Sequence, residues 1–169
     1  MLTSTRQKPL RLWTGVVIVV LQWLVRFVLP YFVPDATVYG MMVGVFGGGL
    51  AIIVWWAFFS RAPWSERLGA VVLMVVAVLA TPYILHESIV TGAMGLLFVI
   101  QVIPGLGLAF VVWAVVSHHL SDRVRLISMV ATILLACGVW ALVKTGGFSG
   151  DLDNDFSWRW AETPEERLL

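Results

Sequence analysis

Long apolar segments separated by short polar connections run from residue 12 to residue 143. Four of these segments carry no charged residue, and the first one is interrupted by Arg26 alone. An apolar stretch of about 18–25 residues is long enough to cross the hydrocarbon core of a bilayer as an α-helix. The pattern predicts an all-α integral membrane bundle of five transmembrane helices with a short irregular external C-terminal tail. The predicted helices cover about residues 12–32, 40–59, 68–85, 93–116 and 126–143, between flanking segments 1–11 and 144–169.

Basic residues occur in every other connection between these segments. Lys and Arg close to the ends of membrane helices are retained on the cytoplasmic side. The two opposing connections, around residues 34–35 and 86–87, contain neither residue type. The sequence therefore predicts a cytoplasmic N-terminus and, after five crossings, a tail on the outside, which is the periplasm in a Gram-negative cell. The residues on the basic side are Arg6, Lys8, Arg11, Arg61, Arg67, Arg123 and Arg125.

The overall composition agrees with a membrane protein and narrows its chemistry. Hydrophobic residues make up 60% of the chain and charged residues 12%, whereas soluble domains have about 45–50% and about 25%. The formal net charge of +1 provides no broad positive field for nucleic acid, so we expect no nucleic-acid partner. Because Cys137 is the single cysteine, the chain has no internal disulfide and no cysteine-based metal site, and we expect Cys137 to be a packing residue.

Three polar residues within the apolar segments are the candidate site. Gln22 and Arg26 are four residues apart and so share one helix face, while Gln101 lies in the first half of the fourth predicted helix. Ionisable residues inside a membrane often mark functional sites, and the set is a candidate for a quinone headgroup or an ion path. The alternative is structural: Arg26 reaches the outer interface, or it bonds Gln101 or a helix carbonyl. No Asp or Glu lies in a predicted helix core, which argues against a proton-relay transporter.

Other polar positions offer little catalytic chemistry. His86 and Glu87 are adjacent near the outer edge, and His118 and His119 are adjacent on the basic side. Neighbouring side chains on a helix point about 100° apart, so a pair of this kind rarely binds one ion. We predict solvated loops at both places, with no metal site and no catalytic residue in this chain.

Small residues indicate how the helices pack. Gly40, Gly44 and Gly48 are spaced by four, which places them on one face where a neighbouring backbone can approach closely. Two interpretations stay open: packing against another helix of the same chain, or a homo-oligomer interface. Pro104 within the fourth predicted helix removes a backbone hydrogen bond, so a kink is expected there.

The tail after Lys144 has a different composition. Residues 145–150 are typical of a glycine-rich loop, and three alternating aspartates follow, although Phe156 occupies the position where a calcium loop needs glycine. Residues 156–160 alternate aromatic and polar side chains, which suits a short strand or an interfacial clamp. Thr163 and Glu166 form a capping box at a helix start. Since three residues follow this start, we expect that the sequence continues in a longer protein.

The tail segments 146–151, 155–160 and 163–169 resemble the linker of membrane-anchored bacterial PQQ-like β-propeller proteins of the quinoprotein dehydrogenase type. In those proteins a hydrophobic N-terminal region precedes an external propeller. The membrane-bound quinoprotein glucose dehydrogenases also have five N-terminal helices. The resemblance implies a non-catalytic anchor in the bacterial inner membrane, with PQQ possible in a missing C-terminal domain. No propeller repeat, cofactor ligand or catalytic acid occurs in this chain, so the resemblance assigns no functional residue.

Two alternatives to the anchor remain open at this point. The first is a complete small integral-membrane subunit or regulator that acts through helix packing. The polar residues Gln22, Arg26 and Gln101 instead favour a quinone-interacting electron-transfer module. The resemblance implies a parent protein similar to a quinoprotein dehydrogenase, while this chain itself carries no predicted catalytic site.

Overall fold

A computed structural model describes residues 12–33, 37–60, 62–148 and 154–161. The predicted basic N-terminus, Arg61, the aspartates at positions 151 and 153 and the helix start at Thr163 lie outside the described residues. Within the described part, the chain is almost entirely helical and ends in two short strands.

Six helices, α1 to α6, follow one another along the described chain. Helix α1 occupies residues 12–32 and α2 residues 37–59; each contains π-helical turns, at Leu24–Val28 in α1 and at Val43–Gly47 and Trp55–Phe59 in α2. The others are α3 (Trp64–Ala80, extended by a 3₁₀ turn Thr81–Tyr83), the short α4 (Glu87–Thr91), α5 (Leu97–Val116, extended by Ser117–His119) and α6 (Asp122–Gly138, extended by Val139–Leu142). The strands are β1 (Val143–Phe148) and β2 (Asn154–Trp158).

Four of the described helices are long and apolar enough to cross a membrane. They cover Val38–Phe59, Trp64–Tyr83, Leu97–His119 and Asp122–Leu142, whereas the apolar part of α1, Leu12–Val28, is shorter. These lengths match the thickness of a bilayer core. The chain is therefore a multi-pass membrane protein of the all-α class, with four of the five predicted crossings supported by helix length.

Two helix starts differ from the prediction by four residues. Helix α3 begins at Trp64 and α6 at Asp122, whereas the apolar pattern placed the starts near Leu68 and Leu126. The extra turns contain charged residues, and a hydropathy pattern does not assign such residues to a membrane helix.

Helix α5 begins later than predicted, at Leu97 instead of about Ala93. Ala93 and Met94 have φ angles of 48° and 57°, and Gly95 has a φ of 85°. Three successive left-handed residues end any right-handed helical path. This turn separates α4 from α5, and nothing in the hydrophobic pattern indicates it.

Helix α5 is the centre of the bundle. Half of the residues in its most apolar 18-residue stretch are buried, against 22–28% of the residues in the corresponding stretches of the other three long helices. Helices α1, α2 and α6 pack directly against it, and α3 packs against α6. Helix α3 contacts α2 mainly near the last turn of α2. Because α2 and α3 separate beyond that turn, a groove opens between them.

The bundle has two distinct ends. The arginine end consists of the start of α1 and the connections at residues 60–63 and 120–121, and it carries Arg67, Arg123 and Arg125. The hairpin end consists of the connection from α3 to α5 and the two strands. Exposed aromatic side chains surround both ends, as expected where Trp and Tyr meet lipid headgroups. They are Trp13, Phe58 and Trp64 at the arginine end, and Phe32, Tyr39, Tyr83, Trp158 and Trp160 at the hairpin end.

The described part of the tail, residues 144–148 and 154–161, is not irregular, which corrects the prediction for these residues. Strands β1 and β2 form an antiparallel hairpin in which Val143 faces Trp158 and Thr145 faces Phe156. The strand predicted from the alternation at residues 156–160 is confirmed in part, since β2 ends at Trp158. The loop predicted at residues 145–150 is wrong for its described part, because β1 continues to Phe148. Two glycines within β1 weigh against a strand in the sequence, and pairing with β2 overrides this weak preference.

Candidate functional site

Arg26 is a buried charged residue in an apolar helix of the bundle. It lies in the π-helical turn of α1, and 9% of its surface is exposed. Gly44 from a π-helical turn of α2 lies directly against it, because a Cβ at Gly44 would be 3.5 Å from the backbone nitrogen and Cβ of Arg26. Turns of this type interrupt regular helices and are frequent at functional sites.

The guanidinium of Arg26 binds two acceptors on α5. Nη1 donates to the carbonyl oxygen of Ile100, and Nη2 donates to Oε1 of Gln101. Both contacts belong to the structural alternative stated above, in which Arg26 bonds Gln101 or a helix carbonyl, and both are confirmed. Cζ also lies 5.2 Å from the centroid of the Phe27 ring, a distance that allows a cation–π attraction.

Pro104 explains why the Ile100 carbonyl is available. In an α-helix this oxygen accepts a hydrogen bond from the N–H four residues later. That residue is Pro104, which has no N–H, and α5 nevertheless continues through it as one helix. Arg26 therefore supplies the donor that proline removes. The missing backbone hydrogen bond of α5 thus lies beside the π-helical turn of α1, which in turn packs against a π-helical turn of α2.

Gln22 lies one turn before Arg26 and is more deeply buried. Its side chain is 3% exposed, and neither Nε2 nor Oε1 has a hydrogen-bond partner. It packs tightly against Gly48, where an added Cβ would come within 2.5 Å of the Gln22 side chain. An unpaired buried amide costs about 1–3 kcal/mol. The predicted set Gln22, Arg26 and Gln101 is therefore brought together, with Gln22 the member that lacks partners.

The depth of Arg26 limits the cost of its charge. Phe32, where α1 ends, lies six positions after Arg26, which corresponds to about 9 Å along the helix. Its partners lie close to the start of α5 on the same side. The charge thus sits in the hairpin half of the bundle and not midway along it. A buried charge is most costly at the centre of a bilayer.

The chemistry of this cluster is restricted to binding. Arg stays protonated in proteins, and the amides of Gln22 and Gln101 do not titrate. No ion pair joins Arg26 to an acidic residue of the described chain. The cluster can donate hydrogen bonds to a carbonyl or an anion, but it offers no general acid or base.

An apolar groove lies next to the cluster. It has a volume of about 310 Å³ and lies between α2 and α3 with α5 as its floor. Gly107 belongs to this floor, and a Cβ there would lie 3.5 Å from Oε1 of Gln22. The unpaired amide is thus close to the groove. The residues that define its walls and floor include Phe46, Leu50, Val75, Leu79, Ile103 and Leu106.

A second buried arginine occurs at the arginine end. Nη2 of Arg125, in the first turn of α6, donates to Oε2 of Glu66 in the first turn of α3. Both residues are buried, so this ion pair ties the starts of two helices together. The sequence did not predict this ion pair: Glu66 and Arg125 fall in connections of the predicted bundle, because the apolar pattern begins four residues after each helix start. Their position one turn before an apolar segment is the available signal.

Aromatic packing adjoins the second arginine. The indole Nε1 of Trp113 donates to Oγ of Ser128 over 2.9 Å, and this oxygen donates to the Arg125 carbonyl over 3.0 Å. The Trp56 ring lies 5.9 Å from the Trp113 ring. Within the described chain, three buried polar atoms at this end lack a partner: Nε1 of Trp56, Oγ of Ser117 and Nε of Arg125.

The glycine face predicted from sequence lies against α1. Gly40 approaches the Val25 carbonyl, Gly44 approaches Arg26, and Gly48 approaches Gln22. This is the intramolecular interpretation of the glycine spacing. The glycine face of α2 packs against α1, and the side chains of Gln22 and Arg26 in α1 reach α5.

The two adjacent pairs, His86–Glu87 and His118–His119, lie apart from the Arg26 cluster. Nδ1 of His86 contacts Oγ of Ser88 over 2.9 Å at the start of α4. The His118 and His119 rings are 3.6 Å apart, and Nδ1 of His118 lies 2.5 Å from the Val115 carbonyl oxygen. His86 thus caps a short helix, whereas the second pair terminates α5.

No protein-family model, curated protein or solved structure matches the chain.

Proposed function

We propose that the chain is the membrane anchor region of a periplasmic PQQ-like β-propeller protein and that it is not catalytic by itself. In this proposal it crosses the bacterial inner membrane five times, with its N-terminus in the cytoplasm and its hairpin end in the periplasm. PQQ belongs to a propeller domain that follows the anchor. The partner of the anchor itself is the lipid bilayer.

The packing of α1 supports a fifth crossing. Gly15 of α1 lies against Trp55 near one end of α2, while Val25 lies against Gly40 near the other end. The two helices are therefore antiparallel over most of their length. Since α2 is long enough to cross the bilayer, a helix that accompanies it in this way lies at the same depths.

The distribution of basic residues supports the orientation. Arg67, Arg123 and Arg125 lie in the first turns of α3 and α6 at one end of the bundle. The short connection between α3 and α5 contains no Lys or Arg. The positive-inside rule retains the arginine end in the cytoplasm.

The hairpin is the observation that carries the anchor proposal. Strand β1 follows α6 without a linker, and the Thr145 amide donates to Oγ of Ser88 over 3.2 Å. The Arg159 amide also donates to the Leu142 carbonyl over 2.8 Å. These contacts fix the chain where it leaves the last helix. A fixed exit suits a segment that holds a following domain at a set distance from the membrane.

Phosphatase fusions test the orientation. Alkaline phosphatase depends on disulfides that form in the periplasm and not in the cytoplasm. We expect a fusion after Ala161 to be active and fusions after Arg67 and His119 to be inactive, with a cytoplasmic reporter giving the reverse pattern. Activity of the fusion after Arg67, or inactivity of the fusion after Ala161, contradicts the five-crossing arrangement.

The reading frame of the intact gene tests the anchor role separately. A frame that continues past codon 169 into repeated short strands supports the anchor. A stop codon directly after Leu169 removes the anchor proposal and favours a small membrane subunit or regulator that acts through helix packing.

A second candidate function is a quinone-interacting electron-transfer module. The unpaired amide of Gln22, next to Arg26 and close to an apolar groove, favours it. In this candidate the headgroup carbonyls accept hydrogen bonds from the cluster, and the isoprenoid tail lies in the groove. Gly48 packs closely against Gln22, so a headgroup requires the Gln22 side chain to change rotamer.

Photolabelling of the purified chain with an azido-quinone tests this candidate. Labelling near Gln22, Arg26 or Gln101 that is lost in Gln22→Leu supports it. Ser128→Ala, which removes a polar group at the arginine end, is the matched control and should leave labelling unchanged. Absence of labelling near the three residues eliminates the candidate.

A further inference from the structure

The hairpin has two chemically different faces. Side chains directly opposite each other in an antiparallel pair lie on the same face. The pairs Val143–Trp158 and Thr145–Phe156 therefore share one face, and Lys144 and Ser157 share the other. The ring of Trp160 stacks on that of Trp158, with centroids 5.2 Å apart and planes inclined by 11°. One face is aromatic, and the other is polar and cationic.

The aromatic face is turned back towards the membrane. The Phe156 ring contacts Trp140 in the last turn of α6, with ring centroids 5.7 Å apart. Thr145, which pairs with Phe156, lies three residues beyond the end of α6, or about 10 Å along an extended strand. A hairpin that continued along the helix axis would carry Phe156 away from Trp140. The observed contact requires the hairpin to fold over the end of α6.

The level of the exposed aromatic rings follows from the same contacts. Trp158 pairs with Val143, the first residue after α6. Trp158 and Trp160 remain 52% and 69% exposed. The rings thus lie where a membrane-spanning helix leaves the bilayer, at the same end of the bundle as the exposed Tyr83, which follows α3. Trp158 and Trp160 thus belong to the belt of exposed aromatic side chains that surrounds the hairpin end.

We propose that the aromatic face of the hairpin is seated in the lipid headgroup layer of the adjacent leaflet. Trp158 and Trp160 occupy the level of the glycerol and carbonyl groups, where indole rings are favoured. Lys144 and the exposed Arg159 lie at the level of the phosphates, which carry the complementary charge. The hairpin then acts as an amphipathic interfacial element, in the manner of an amphipathic helix lying in the membrane plane. This inference requires a membrane-spanning α6 and is independent of any propeller domain.

Depth-dependent quenching tests the proposal on the full chain. A Cys137→Ala background carries one environment-sensitive fluorophore, at Trp160→Cys on the aromatic face or at Ser157→Cys on the polar face. Both variants are placed in nanodiscs of phosphatidylethanolamine and phosphatidylglycerol, so that both sides of the bilayer are accessible. Quenchers are a headgroup-nitroxide lipid, a lipid with the nitroxide near the end of the acyl chain, and aqueous iodide.

We expect the label at position 160 to be quenched several-fold more by the headgroup nitroxide than by the deep nitroxide. We also expect iodide to quench position 157 several-fold more than position 160. Equal quenching of the two positions by iodide overturns the proposal, since the hairpin then stands in water.

Protection of position 160 from iodide and from both lipids also overturns it, because protein then covers the face. If this protection decreases when the chain is diluted in lipid, the cover is a second copy. Trp158→Cys provides a second probe of the same face if the first variant does not fold.

Discussion

Arg26 and Arg125 are both buried arginines in the same bundle, but their guanidinium groups bind different kinds of acceptor. Arg125 faces a carboxylate, that of Glu66, between two helix starts at the arginine end. Arg26 faces neutral acceptors, a carbonyl that Pro104 leaves free and the amide of Gln101. The first arrangement balances charge within the protein. The second surrounds one positive charge with neutral dipoles, so the two sites should respond differently to substitution.

The largest effect is expected from removing the acid at the arginine end. Glu66→Gln leaves Arg125 charged, buried and without its counter-ion, and breaking a buried pair in this way costs about 3–5 kcal/mol. Reversible unfolding in detergent micelles measures the loss. Asp122→Asn removes an exposed acid from the first turn of α6 and should change stability little. A small effect of Glu66→Gln would show that water reaches Arg125.

The next largest effect concerns the packing that encloses the Arg26 cluster. Gly48→Ala places a Cβ within 2.5 Å of the Gln22 side chain, and such overpacking costs about 1–3 kcal/mol. Gly47→Ala is the matched control, because its Cβ would meet its nearest atom at 3.8 Å. Thermal unfolding of both variants in micelles gives the comparison. Equal stability would mean that Gln22 moves freely and that the cluster is not tightly enclosed.

A smaller effect of opposite sign is expected at Gln22. Gln22→Met keeps a similar volume and removes an amide that has no partner, so we expect a stabilisation of about 1 kcal/mol. Gln101→Met should destabilise, since it removes an acceptor from Arg26. Denaturant titration of the delipidated chain measures both. A destabilised Gln22→Met would show that the amide has a hydrogen-bond partner within the protein.

The smallest effect tests the role of Pro104 in the neutral arrangement. Arg26→Met leaves the Ile100 carbonyl without its donor, and Pro104→Ala restores a backbone N–H to it. A double-mutant cycle should show a favourable coupling of about 0.6 kcal/mol, the average for hydrogen bonds between membrane helices. The same cycle with Pro82→Ala, in the 3₁₀ turn after α3, should show no coupling. Equal coupling energies in the two cycles would show that Arg26 is not specifically coupled to Pro104.

The sequence predicts the neutral site better than the ionic one. Gln22 and Arg26 stand out as polar residues within an apolar segment, and Gln101 is the polar residue of the facing helix, so their association follows from burial. Glu66 and Arg125 are absent from the predicted helices, because charged residues one turn before an apolar segment resemble a solvated connection. Only the packing of α3 on α6 brings them together.

At the hairpin end, the sequence likewise predicts some elements and not others. Alternating aromatic and polar residues predicted a strand near residues 156–160, and β2 confirms it up to Trp158. The pairing strand β1 contains Gly146 and Gly147, which disfavour a strand locally. The left-handed turn at Ala93 and Met94 has no signal in the sequence, since neither residue favours positive φ. Local preference therefore identifies these elements only where tertiary contacts agree with it.

The separation of Arg26 from its partners along the chain has a consequence for biosynthesis. The acceptors at Ile100 and Gln101 lie 74 and 75 residues downstream. At a synthesis rate of about 5–20 residues per second, the guanidinium emerges from the ribosome roughly 4–15 s before either acceptor. During that interval the first segment has to be held by the insertion machinery or at the membrane surface. Completion of α5 is thus the event that commits the beginning of the chain to its final place in the bilayer.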